Sequence, residues 1–422
     1  MNHGANVSQA SRVIRPSLNR RAFLQSTAVA GAVLLSGTTS SRGEVDIPGR
    51  QPLLDLKQQF PDPVVIEAVD QLQVGDSIWF RVRSADGAEG FCPGNDRLKV
   101  TVEMARQLIN PYFVQKDARE IESLVDGVYT ERDQRGSVYK FAGMPFWNVV
   151  GHLEVAVFDL LGRLADRSVS QILANAFPQH QPRGRIPVYI SQFGRNTSAE
   201  QEVENAARDL QKTGAKATKL KIGLRMNNSK QQTKRDQRMI ELARKTFGDD
   251  VTIYVDANSS YTAKEAVLMG KFLDSFGVEL LEEPLPWQDY EGTRQVTEAL
   301  FHLVLQVAGG EQDSSLWQWQ DMVNRRIVDV LQPDVFYNGG LVRSLRVARM
   351  AQQAGRTITP HSPKVLPDAA ANLHFCSVLP NLGPFQEYRS YGTVTDGFID
   401  VPTGPGLGIE VDPGKLRTAR RL

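Results

Sequence analysis

Two hydrophobic rhythms divide the chain. Val64-Val65-Ile66-Glu67-Ala68-Val69 and Ile78-Trp79-Phe80-Arg81-Val82-Arg83 read as strands, and Asp86-Gly87 is a tight-turn pair ahead of a third. Helical patterns follow around 100–110 and 117–129. A longer one over 147–165 carries Val150, Leu153, Val157, Leu160, Leu161 and Leu164 at helical spacing. Residues 46–180 thus read as a small α+β domain. From about residue 185 a short apolar strand is followed by a helix, again and again. The strands are Ile186–Ser191, Lys219–Ile222, Val251–Asp256, Val278–Glu282, Leu303–Ala308, Ile327–Gln332, Thr357–Thr359 and Pro384–Glu387. Between them, Thr262-Ala263-Lys264-Glu265 fits a capping box, and Gly214, Gly248, Gly277 and Gly355 stand where helices should end. This α/β alternation predicts a parallel barrel of (β/α)8 type over 181–390 rather than an open sheet. No Gly-rich dinucleotide fingerprint follows any strand.

The ends of the chain and its charge narrow the setting. Residues 1–45 read as a signal and linker. Asn19-Arg20-Arg21-Ala22-Phe23-Leu24-Gln25 precedes an uncharged stretch from Ser26 to Ser40, whose apolar centre, Ala28 to Leu35, is too short to span a bilayer. A twin arginine in that setting resembles a bacterial Tat export signal, which implies a periplasmic or otherwise exported protein and the Tat machinery as a partner. The segment holds no Cys, so no lipid anchor is expected. The 422 residues carry 49 basic and 48 acidic side chains for a net charge of +1, which gives nucleic acid nothing to bind. Arg343, Arg346 and Arg349 recur every third residue and read as one solvated helix face. Cys92 and Cys376 flank no motif and read as two buried thiols rather than a disulfide.

The chemistry lies at the strand ends. Barrel enzymes carry their catalytic groups at the carboxyl ends of the strands. Here those positions are Ser191, Lys221, Asp256, Glu282, Glu311, Asp334, His361 and Glu387, spaced 23 to 35 residues apart, one βα unit each time. Seven ionisable groups at one depth crowd like charges together, which fold maintenance does not require. Asp256, Glu282 and Glu311 would converge from adjacent strands, and three carboxylates repel unless a cation sits among them. Hard oxygen ligands suit Mg²⁺, with Mn²⁺ as a substitute. Strand alternation puts Glu282 and Glu283 on opposite faces, leaving one as a ligand. Lys219 and Lys221 share a strand face, and a lysine beside another cation should have a depressed pKa, as a base requires. His361 alone of six histidines ends a strand, and Asp334 on the preceding strand can fix its tautomer.

These residues meet a known pattern. Lys-x-Lys within Thr218–Gly223, Val255-Asp256-Ala257-Asn258, Leu281-Glu282-Glu283-Pro284, Gly310-Glu311, Gln332-Pro333-Asp334 with Gly339-Gly340, Pro360-His361 and Glu387 together resemble the mandelate racemase-like subgroup of the enolase superfamily (the mandelate racemase/muconate lactonizing enzyme family). The resemblance covers roughly residues 60–415, and Ala156–Gly162 resembles the helix leading into the barrel. It implies a modified (β/α)7β barrel under an N-terminal α+β capping domain, with 391–422 returning to that domain. It also implies Mg²⁺ on Asp256, Glu282 and Glu311, with Lys221 and the His361–Asp334 dyad as acid/base groups on opposite faces of a small carboxylate substrate. Lys219 would neutralise the carboxylate, and a protonated Glu387 would hydrogen-bond the developing enediolate. Relatives with a lysine on the sixth strand need it about where Tyr337 stands, so cycloisomerase and dipeptide-epimerase chemistry is not expected. The cap selects substrate in this family, and Leu72–Asp76 and Arg132–Trp147 are the segments that would cover the mouth.

The expected activity is that of a lyase dehydrating an acid sugar. The alternative is a racemase or epimerase of a 2-hydroxy acid or related carboxylate. A non-catalytic periplasmic binding protein is the distant rival. A homo-oligomer without a stable membrane anchor is the expected assembly.

Overall fold

The computed structural model describes residues 46–131, 138–390 and 392–422. Asp46–Leu422 form one compact unit. The signal reading of 1–45 falls outside the described residues. No helix among those described is long and apolar enough to cross a membrane.

The chain opens with an antiparallel sheet of β1 (Ile66–Val74), β2 (Ser77–Ser84) and β3 (Glu89–Pro93). The strand after the C-terminal helix, Arg420–Arg421, pairs with Leu72 and Gln73 on the outer edge of β1. The predicted helix over 147–165 runs from Met144 to Leu164 and is buried along nearly its whole length. It lies against β2 and β3, and Gly90 makes that approach possible. A Cβ there would come within 2.3 Å of the Ala156 carbonyl oxygen.

The eight predicted strands form the barrel. They are β4 (Arg185–Ser191), β5 (Ala217–Lys221), β6 (Thr252–Asp256), β7 (Val278–Glu282), β8 (Gln306–Gly309), β9 (Val330–Leu331), β10 (Thr357–Ile358) and β11 (Gln386–Arg389). They are parallel and neighbour one another in sequence order, with β11 beside β4. An isolated bridge between Ile358 and Leu382, just ahead of β11, closes the ring. The predicted capping box at Thr262 and Glu265 is present. Gly214, Gly248, Gly277 and Gly355 all have left-handed φ of 64–67° at helix ends.

A plug of side chains fills the barrel. Tyr189, Ala217, Tyr254, Leu280, Ala308 and Val330, one from each of six strands, form a separate apolar cluster. Side chains two apart on a strand share a face. Ser191, Lys219, Asp256 and Glu282 therefore stand one layer above Tyr189, Ala217, Tyr254 and Leu280. The inward pleat that builds the plug also aims the polar ring at the mouth.

The arginine triplet departs from expectation. Arg343 and Arg346 are 3% and 1% exposed, and Arg349 is half-buried. Arg346 forms a buried ion pair with Asp126 at 2.7 Å, Arg343 donates to the Asn338 and Ser314 carbonyls, and Arg349 donates to that of Ala176. Their spacing reads like a solvated face, but partners on other segments, Asp126 for Arg346, Ser314 for Arg343 and Ala176 for Arg349, turn it inward. Cys92 and Cys376 are free and buried, as expected.

Candidate active site

Three buried carboxylates converge at the barrel mouth. Asp256, Glu282 and Glu311 each offer an oxygen, and these atoms lie within 4.8 Å of one another. Asp256 and Glu282 end β6 and β7, whose parallel register places them side by side. Glu311 follows β8 across Gly310, whose φ is 110°.

Cationic groups flank the cluster on both sides. Lys219 and Lys221 both point into the site from β5, at 1% and 6% exposure. Lys219 Nζ lies 2.7 Å from Glu282 Oε2 and 2.9 Å from Glu387 Oε1. Lys221 Nζ contacts Asp256 Oδ2 and lies 3.3 Å from Asn258 Oδ1. Opposite them, His361 Nδ1 lies 2.9 Å from Asp334 Oδ2, while Nε2 lies 3.2 Å from Glu311 Oε2. Asp334 Oδ1 accepts the backbone N–H groups of Phe336 and Tyr337 at 2.8 and 3.1 Å. The structure thus brings together Lys221, His361, Asp334, Lys219, Glu387, Asp256, Glu282 and Glu311.

The pKa of Lys219 fits the positive charge expected of it at the substrate carboxylate. Burial works against its charge, but Glu282, Glu387 and Asp256 outweigh burial and raise it. At Glu387 the balance runs against the protonated acid that the resemblance implies. Burial favours the neutral acid, yet Lys219, His361 and Lys221 pull its pKa down to about 2. The carboxylate accepts hydrogen bonds from Ser191 Oγ at 2.8 Å and Ser362 N at 3.0 Å. Asp256 is likewise held well below the usual range against the cost of burial, chiefly by Lys221 and then Lys219. Burial opposes charge on His361 too, but Glu311, Asp334 and Glu387 push it up to about 9.

Glu283 is also buried, just past β7 with a left-handed φ of 40°, and Asn258 Nδ2 lies 3.5 Å from its Oε2. Three neighbours escaped the sequence reading. Asn258 accepts from Lys221, and its backbone N–H donates to Asp256 Oδ1 at 2.8 Å. Gln332 donates to Glu282 Oε2 at 2.9 Å. Asn258 and Gln332 stood inside quoted motifs, where their polarity was the available signal. Arg195, which donates to the Ile222 and Gly223 carbonyls and to Asn258 Oδ1, lies in a loop with no motif.

The cap segments also differ from expectation in part. The turn at Gly75-Asp76 lies at the sheet end where Trp79 pairs with Pro93, the end from which the chain continues toward Tyr337 through Arg97. Within Arg132–Trp147, residues 132–137 fall outside the described residues. Trp147 is buried under the Arg343 guanidinium, 3.6 Å from the ring centroid, and so belongs to the core.

The residues fit a divalent cation. The donors are hard carboxylate oxygens, and Glu282 Oε1 is buried with no hydrogen-bond partner among the described residues.

Fold and site together define a barrel enzyme of the enolase type. The family model for the enolase C-terminal domain-like group matches residues 201–415, more than half of the chain, and the protein belongs to that family. It is 25% identical over 354 residues to arabinonate dehydratase from Saccharolobus solfataricus, covering 79% of this chain and 87% of the relative. It is 25% identical over 358 residues to D-galactarolactone cycloisomerase from Agrobacterium fabrum, covering 79% and 89%. A magnesium complex of a mandelate racemase/muconate lactonizing protein from Paracoccus denitrificans superposes with a TM-score of 0.73 at 23% identity, covering 85% of this chain and 99% of that one.

Proposed function

We propose that the protein removes the proton next to the carboxylate of an acid sugar and expels the β-hydroxyl, yielding a 2-keto acid. The carrying observation is the placement of Lys221 and the His361–Asp334 dyad on opposite flanks of one carboxylate cluster. Asp256, Glu282 and Glu311 would hold Mg²⁺, or Mn²⁺ in its place. When bound, the ion supplies Lewis-acid stabilisation of charge on the substrate carboxylate. Lys219 adds a fixed positive charge at that end. A base on one flank, Lys221 or His361, takes the α-proton. The electron pair left on carbon forms the C=C bond as the β-hydroxyl departs, protonated by His361, and the enol tautomerises to the keto acid. Asp334 holds the imidazole with its Nδ1 proton inward, so that Nε2 faces the site. Glu387, 2.9 Å from Lys219 Nζ and 4.0 Å from His361 Nε2, orients both.

The dehydratase among the relatives supports this outcome. A second reading follows from the same two flanks. Deprotonation on one and reprotonation on the other would invert the α-carbon. A panel of acid sugars incubated with Mg²⁺ in D₂O separates the two. Keto-acid formation supports dehydration, exchange with inversion and no loss of water supports epimerisation, and neither with any acid sugar rejects both. Binding without exchange would restore the binding-protein reading, against which the complete acid/base set argues.

Export rests on Arg20-Arg21 and the apolar stretch behind them. A fusion of residues 1–45 to a folded reporter should reach the periplasm, and changing Arg20-Arg21 to Lys-Lys should stop it. Unimpaired export of that variant would sink the Tat assignment. The homo-oligomer is tested by light scattering of the purified protein.

A further inference from the structure

The capping sheet sends one arginine over the barrel mouth. Arg97 lies in the short turn Asp96–Val100 that follows β3. Its backbone is pinned on both sides. Leu98 is fully buried, and Asn95 accepts from Arg97 N at 3.1 Å while donating to Asn148 Oδ1 at 2.7 Å. The side chain itself is exposed. Its Cζ lies 4.7 Å from the centroid of the Tyr337 ring, and that ring lies 6.1 Å, centroid to centroid, from His361. The guanidinium is therefore two ring contacts from the imidazole and approaches the site from the cap.

Arg97 stands apart from the other cations at the mouth. Arg195 is spent on the Ile222 and Gly223 carbonyls and on Asn258. Lys219 and Lys221 are paired with Glu282, Glu387 and Asp256. Lys364 lies 3.9 Å from Asp334. Among the described residues the Arg97 guanidinium has no carboxylate or carbonyl partner. An exposed arginine is ordinarily solvated and free to wander. This one is stacked on an aromatic ring that shares the site, which orients its planar fork.

We infer that Arg97 is a specificity-determining residue that binds a second anionic group, carboxylate or phosphate, at the substrate end remote from the reacting carboxylate. The substrate class is then a doubly anionic acid sugar. A planar guanidinium can engage either anion through two parallel hydrogen bonds. The two ends of such a substrate would be held by different parts of the fold. The reacting carboxylate would lie on the barrel near Lys219, and the distal anion would lie under the cap. The inference rests on the proton-abstraction reading.

The test compares three substrate sets of matched chain length with Mg²⁺ present: aldonates, aldarates, and aldonates bearing a terminal phosphate. Keto-acid formation and α-proton exchange in D₂O are both read. The wild type should favour one doubly anionic set over aldonates by about tenfold or more in kcat/KM, and the set favoured identifies the distal anion. Arg97→Gln should remove most of that preference through KM rather than kcat, and Arg97→Lys should keep part of it. Aldonates used as well as either doubly anionic set would overturn the inference. So would a preference that survives Arg97→Gln in a protein of unaltered melting temperature. Exchange with aldonates alone would leave proton abstraction standing while refuting the role of Arg97. Exchange with none of the sets would reject proton abstraction, and the inference with it.

Discussion

Replacing Asp334 with Asn changes little in shape but should reverse the polarity of the dyad. Asp334 Oδ1 accepts two backbone N–H groups, at 2.8 and 3.1 Å, and Oδ2 accepts His361 Nδ1–H at 2.9 Å. In Asp334→Asn the remaining oxygen is claimed by the two backbone donors. The opposite flip would face an NH₂ against both and leave them unpaired, at about 1–3 kcal/mol each. The amide nitrogen must then face Nδ1 and donate to it. The imidazole is forced into the other tautomer, with its proton on Nε2, beside Glu311 Oε2. A neutral ring in that state has no lone pair at Nε2 to accept the α-proton, and as an acid it would have to leave an imidazolate. The expected loss in kcat is about 10²- to 10⁴-fold, or roughly 3–5 kcal/mol of transition-state stabilisation. Stopped assays of keto-acid formation and deuterium exchange measure it, with the melting temperature as the control for folding. A variant that keeps kcat within about tenfold of the wild type, correctly folded, would refute the tautomer argument.

Three further outcomes follow from the same structure. Arg346→Met leaves the buried Asp126 carboxylate without its 2.7 Å partner, and should cost about 3–5 kcal/mol in urea unfolding. A cost under about 1 kcal/mol would mean that the pair is dispensable. Mg²⁺ at about a hundred times its Kd should stabilise the wild type by about 2.7 kcal/mol, read as a rise in melting temperature. Glu282→Gln, which removes a buried ligand charge, should lose most of that gain. An equal shift in both proteins would place the ion elsewhere. Burial pushes the pKa of His152 down to about 3 and that of His374 to about 4, so both are neutral when folded. The unfolded chain binds these protons at an ordinary histidine pKa near 6.5. Stability should therefore fall as pH drops below about 6.5 and level off below the folded values. At pH 5.5 each histidine should cost about 1.4 kcal/mol. His374→Gln should flatten its share of that slope in denaturant titrations, and an unchanged slope would contradict the assignment.

Much of the active site was legible because a barrel repeats. Once the βα units were aligned, the last inward residue of each strand fell at a common depth, and the pleat carried Lys219 and Lys221 inward together. The acidic triad and the His361–Asp334 pair follow from that periodicity, since parallel register is local and cumulative. What failed was whatever depended on a neighbour distant in sequence. The arginines at 343 and 346 looked like a solvated face until Asp126 and the Asn338 and Ser314 carbonyls closed over them.

The sequence by itself determined which polar residues end the strands and in what order they circle the mouth, because hydrophobic period and turn chemistry act over a few residues. Only the tertiary structure decided their charge states. Cationic neighbours draw the Glu387 pKa down, against the protonated acid that the resemblance implies, and buried carboxylates raise that of Lys219. Each is governed by the balance between burial and partners that arrive from strands up to 196 residues apart, as Ser191 does at Glu387. Electrostatic energies depend on distance in space and on the exclusion of water, and neither is written along the chain.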